Sequence, residues 1–266
     1  MATRTHATVF VAFVGLAAAA CATYSAMMYS WAVSEQLALA VVFALLMAIA
    51  TIRPIHLGFR LNVDLTTLLI IAIALSLSPE IAIVAGAAGV VGGQLVQRST
   101  WSGMVFNSGQ LVLQIVAAVS ILAGFGWQAE DPAFAELRYL PVIVLAMLSV
   151  FLVNSVLVST VVGLQSRIPP WKVWRDTLTP DLVIEQASQF ALGLLTSIVV
   201  WVQIWLLPLL VAPGVMLYIS ASRKSHLEFQ TQEAISALAD LVDRRDPYTS
   251  ITPGASRSSP GSWRRS

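Results

Sequence analysis

The chain has 266 residues, of which 57% are hydrophobic and 11% charged, with a mean hydropathy of +0.79. Soluble domains carry about a quarter of their residues as charges, so this composition excludes a soluble protein and predicts an integral membrane one whose first partner is the lipid bilayer. The net charge of +1 gives no reason to expect a nucleic-acid partner.

Thr8–Tyr29 is the first apolar run of bilayer length. Arg4 precedes it as in a secretory signal, but the run exceeds a usual signal core and further runs follow, so it reads as a retained helix. Cys21 within it is the single cysteine and has no internal disulfide partner. Further apolar runs occupy Leu37–Ile52, Asp64–Ser78, Ile81–Gln97, Met104–Phe125, Tyr139–Leu164, Leu182–Val200 and Trp201–Ser220. The expected fold is therefore all-α, a polytopic membrane helix bundle of about eight transmembrane helices forming one domain over 1–221. Asp64 reads as a helix N-terminal residue rather than a proton carrier.

Basic residues concentrate in short cytoplasmic loops. With the N-terminus inside, 14 of the 15 Lys and Arg fall inside, leaving Arg138 alone outside, beside Glu130, Asp131 and Glu136. The pattern predicts cytoplasmic N- and C-termini and an even number of spans.

The fourth run repeats small residues at Ala85, Gly89 and Gly93. Four-residue spacing of this kind lets a second helix backbone approach closely, from the same chain or from a second copy. In the fifth run Asn107, Gln110 and Gln114 share one helical face. Asn154 and Ser155 lie near the middle of the sixth, and Glu185, Gln186 and Gln189 near the start of the seventh. Polar side chains are expensive in hydrocarbon and turn toward a bundle interior. Asn107, Gln110, Gln114, Asn154 and Gln189 are thus candidates for a polar pocket holding an unknown small molecule. The competing reading is that these amides bridge helices, for roughly 0.6 kcal/mol each.

Between the sixth and seventh runs, Pro169-Pro170-Trp171-Lys172-Val173-Trp174-Arg175 is either an interfacial segment, with rings at headgroup depth and cations toward phosphates, or a plain loop. Pro208 and Pro213 are expected to kink the last span.

Beyond the spans, 222–248 reads as a cytoplasmic exit helix. Leu227, Thr231, Ala234, Leu238 and Leu241 recur at four and three residues, a short seam for a homodimeric coil; a lone helix lying on the membrane is the alternative. The Asp246-Pro247 step ends it, and 249–266 is a Ser-, Pro-, Gly- and Arg-rich disordered tail.

No enzyme motif is present. His6, His56 and His226 lack metal-ligand spacing, and no phosphate-binding glycine loop follows a strand. No cofactor, metal site or catalytic residue is expected.

Ala237–Ser250, ALADLVDRRDPYTS, resembles the entry to bacterial HD-GYP domains, metal-dependent phosphohydrolases of cyclic di-GMP. The match lies in the helix, the Arg245-Asp246-Pro247-Tyr248-Thr249 string and its position after a membrane region. Phe106-Asn107-Ser108-Gly109-Gln110 and Val153-Asn154-Ser155 resemble points in the multi-helix sensor region that precedes such domains. The family's next Gly-His is replaced by Ile251-Thr252-Pro253-Gly254, and its His-Asp pair and Gly-Tyr-Pro motif do not appear. The resemblance implies a membrane sensory module of the bacterial inner membrane, not itself an enzyme. The Arg-, Ser-, Pro-, Gly- and Trp-containing tail, of the kind a GC-rich gene yields out of frame, gives the expectation that the catalytic domain was lost to a frameshift, with a stand-alone membrane protein with a natural tail as the competing account. In the other functional class stands a small-solute transporter or substrate-capturing membrane subunit.

Overall fold

The computed structural model describes residues 2–28, 36–52, 55–57, 61–63, 65–98, 100–127 and 137–203, with the single positions Leu206 and Thr231. Among the described residues the α-helices are, in chain order, α1 (Ala2–Met28), α2 (Leu37–Ile52), α3 (Thr66–Ser76), α4 (Pro79–Gln97), α5 (Trp101–Gly124), α6 (Leu140–Ser166), α7 (Pro170–Thr177) and α8 (Pro180–Val202). Five of them, α1, α4, α5, α6 and α8, contain stretches long and apolar enough to cross a membrane, while α2 and α3 are shorter apolar helices. The predicted exit helix and tail, the eighth span beyond α8, Asp64, and the seam positions other than Thr231 lie outside the described residues.

The boundaries differ from the sequence expectation where caps decide them. α5 begins at Trp101 because the Thr100 hydroxyl, at the N-cap, accepts from Gly103 N at 3.3 Å. α8 begins at Pro180 for the same reason, with Thr179 Oγ1 accepting from Leu182 N at 3.3 Å and proline at the first helical position. α3 is shorter than expected, because Leu77 and Ser78 turn extended ahead of Pro79, the conformation a following proline imposes. Among the described residues one departure from helix occurs: Ile55–Leu57 (β1) and Leu61–Val63 (β2) pair antiparallel in the α2–α3 connection, Ile55 opposite Val63. The bundle itself is entirely helical.

Packing contacts fix the direction of each helix. Gly89 abuts Ala44 and Met47, and Gly93 abuts Ala48 and Thr51, so α4 runs parallel to α2. Gly193 meets Leu68 and Ile71, and Ser197 reaches Ala72, so α8 runs parallel to α3. Phe10 stacks near Phe106 and Gly109 meets Val14, which makes α1 parallel to α5. Gly86 meets Leu111 and Ile115 while Gln94 and Asn107 share one cavity wall, so α4 runs antiparallel to α5; Gln110 meets Asn154 while Phe106 clusters with Val161, so α5 runs antiparallel to α6. Thus α1, α3, α5 and α8 run one way and α2, α4 and α6 the other, in alternation along the chain.

The two ends of the bundle carry different chemistry. One end has Arg98, Arg167, Lys172 and Arg175; the other has Trp127, Arg138 and Tyr139, with Trp127 edge-on to Tyr139 at 5.4 Å. At this second end Ser78 N donates to Gln36 Oε1 at 2.9 Å, tying the starts of α2 and α4.

α3 is the core. Thr67 and Leu69 through Ser76 are all buried, yet its 11 residues span only roughly 16 Å at 1.5 Å per residue, about half a hydrocarbon core. It is a half-length helix enclosed by its neighbours. Lipid offers apolar side chains as good a solvent as the protein interior does, so close backbone approach rather than apolar burial holds such helices together. Gly89 and Gly93, two of the three small residues named from sequence, supply that approach: a Cβ on Gly89 would lie 2.6 Å from Ala44 O, and one on Gly93 2.7 Å from Ala48 O, while Ala85 is buried one turn before them. On the outer side of α6, exposed Leu145, Leu148, Leu152 and Val156 form a stripe facing away from the core.

α7 turns the sequence between α6 and α8 into an amphipathic helix rather than a plain loop. Gly163 lets the chain fold back onto α6, where a Cβ would sit 2.7 Å from Ile168 O. Trp171 and Trp174 stand 5.2 Å apart, and Lys172 and Arg175 are exposed.

Candidate functional site

The half-length of α3 leaves space at the basic end of the bundle. A cavity of about 370 Å³ lies against its first turn, Thr66 and Thr67. Thr51 of α2, Gln94 and Gln97 of α4, Asn107, Gln110 and Gln114 of α5, Asn154 of α6, and Glu185 and Gln186 of α8 complete the polar wall. Only Ala50, Val90, Leu111 and Leu182 are apolar. Six helices each deliver polar groups or apolar spacers to one chamber, and the side chains come from the ends of α2, α4, α5 and α8 that share the basic face.

Asn154 organises one side. Its Oδ1 accepts from Gln110 Nε2 and stands 3.5 Å from Gln114 Nε2, so one carbonyl oxygen gathers two amides from a single face of α5. Gln114 is buried, while Gln110 and Asn154 are half-buried. The α6 position is an economical choice for such a device, because the amide presents an acceptor and donors from a short side chain. On the opposite side Gln189 Nε2 donates to Glu185 Oε1 at 3.1 Å. Next to Gln94 the helix pair is close, since Gly93 sits on Thr51; Gln94 itself is 1% exposed and its Oε1 has no hydrogen-bond partner.

Four of the five pocket candidates named from sequence therefore line one chamber: Asn107, Gln110, Gln114 and Asn154. Gln189 does not. It is buried one helical turn from Glu185 and touches the site only through that carboxylate. Asn107 is the most exposed of the group and lies at the chamber's open side. The bridging and pocket readings of the amides are not exclusive here, because the same Asn154 oxygen that joins α5 to α6 also faces the cavity.

Sequence reasoning passed over Thr51, Thr66, Thr67, Gln94 and Gln97. Gln94 and Gln97 were legible as a pair three residues apart at the end of an otherwise apolar span, but the glycine pattern of the same helix drew the interpretation toward packing. The threonines carry no signal of their own, since such hydroxyls commonly bond back to their own helix, as Thr51 does to Met47 O at 2.8 Å.

A second cavity, about 470 Å³, opens between α1, α5 and α6 near Thr100 and Gln165. The buried residues of its wall, Ala7, Val11, Phe106 and Val161, are all apolar, so it lacks the convergent polar groups that orient a polar ligand. Among the described residues no three His, Cys, Asp or Glu side chains come together. No family model matches the chain, and neither a curated protein nor a solved structure does.

Proposed function

We propose that the chain is a membrane sensory module that recognises a small polar solute in the chamber between α3, α5, α6 and α8. The observation that carries this reading is the chamber itself: eleven polar side chains around about 370 Å³, a size suited to a small molecule. Polar groups so costly to place among membrane helices are accounted for by an occupant that bonds to them.

The sensory assignment draws on the resemblance of Ala237–Ser250 to the entry of HD-GYP domains and of the Asn107 and Asn154 strings to the region that precedes them. In this reading a solute favours one packing of α3 against α8 over another, and the heptad seam from Leu227 to Leu241 carries the difference onward. The chain contributes recognition, and no hydrolysis of cyclic di-GMP is expected from it.

A second reading is favoured by α3. A half-length helix beginning at a midplane site is a device of solute carriers, and a substrate-capturing subunit would use the same chamber. Cross-linking separates the two. In membranes holding the full chain with Cys21→Ser, single cysteines at Ala234 and Leu241 should cross-link between copies, with a yield that changes when solute is added. Solute uptake by reconstituted vesicles, with no such cross-link, would instead establish the carrier.

A further inference from the structure

We infer that the chamber takes a small nitrogenous cation, of the ammonium or amidinium class. The inference rests on the reading of the chamber as a ligand site and concerns the charge of what enters it. Its basis is the way the wall spends its hydrogen-bonding groups. The amide nitrogens of Gln110 and Gln114 are directed at Asn154 Oδ1, the Thr51 hydroxyl proton goes to Met47 O at 2.8 Å, and Gln189 Nε2 is held by Glu185 at 3.1 Å. Each of these bonds commits one N–H or O–H inside the protein, and each amide keeps its second N–H, so an oxygen left wholly without a partner is what distinguishes the wall.

In the wall itself Gln94 Oε1 is buried without a partner. A buried acceptor without a donor costs roughly 1–3 kcal/mol, and a ligand rich in N–H groups removes that cost. Glu185 is the one acidic residue in the described wall, and no Lys, Arg or His is among the described lining residues. An anion would meet the Glu185 carboxylate there. A cation with several N–H groups meets the complementary surface.

Three probes of nearly one shape and different charge test this: benzamidinium, benzamide and benzoate, titrated calorimetrically into the full chain in nanodiscs of neutral lipid. Benzamidinium should bind about tenfold or more tightly than benzamide, the advantage of a charge-assisted bond, and benzoate should not bind. Glu185→Gln should remove the preference for benzamidinium over benzamide. Gln94→Glu, which adds a carboxylate where an orphan oxygen now lies, should strengthen benzamidinium binding and keeps the test intact if Glu185→Gln does not fold. Equal binding of benzamidinium and benzamide, or tightest binding of benzoate, overturns the cation assignment while the chamber remains a ligand site. Binding of none of the three overturns both.

Discussion

Asn154 is the residue on which the site turns. One amide oxygen on α6 receives two amides from α5, so its removal strands two N–H groups in a partly buried place. Asn154→Leu should therefore lower stability by about 1–3 kcal/mol, measured by thermal unfolding in nanodiscs, whereas Asn154→Asp keeps the acceptor and should cost less. Arg98 and Arg167 show a different competition. Both end their helices in the left-handed conformation, with φ of 55° and 58°, where glycine is the usual occupant. A side chain there costs about 1 kcal/mol, so Arg167→Gly should raise the unfolding temperature slightly. The arginines fit the other demand on these two positions, since a cation at this end of the bundle reports orientation to the membrane.

At the scale of the element, α4 is defined by what its glycines meet. Gly89 and Gly93 lie against the backbone of α2, while a Cβ on Gly92 would have nothing within 4 Å. Gly89→Val should thus destabilise the bundle by about 1–3 kcal/mol through forced separation of α2 and α4, and Gly92→Ala should be close to neutral; parallel unfolding curves check the contrast. The small-residue spacing was legible in the sequence, but its partner was not, because the i, i+4 pattern states that a backbone comes close without saying whose. The long spans α1, α4, α5, α6 and α8 were legible for a simpler reason: uninterrupted apolar composition is a sufficient signal. The sequence alone puts α3 among the spans, since composition does not reveal that the helix begins only at Thr66 and closes after 11 residues, with Ser78 beside Gln36 at the far end of the bundle. That shortness is what makes room for the chamber, so the contributions of Gln94, Thr66 and Thr67 were hidden with it. Pairing Asn107, Gln110 and Gln114 with Asn154 needed only helical periodicity and the expense of amides in lipid, while the exclusion of Gln189 from the wall depended on the rotation of α8, which periodicity alone does not set.

For the whole molecule, alternation of helix direction and the gathering of Arg98, Arg167, Lys172 and Arg175 at one end predict that this end faces the cytoplasm. A cysteine at Lys172 in a Cys21→Ser chain should react with an impermeant maleimide only from the cytoplasmic side, and one at Arg138 only from the other; the reverse pattern would refute the orientation. The chamber then opens inward, between the half-helix α3 and the start of α8, on the same side as α7 with its paired tryptophans and cations. A solute arriving there reaches α3 and α8 together, at Thr66 and Thr67 of the one and Leu182, Glu185 and Gln186 of the other. The most direct measurement is native mass spectrometry of the chain released from membranes of the cells that express it. The expected result is a polar adduct of small mass on the wild-type chain, lost on Gln94→Leu. An adduct that persists unchanged in Gln94→Leu, or a chamber that carries only lipid, would contradict a polar solute site.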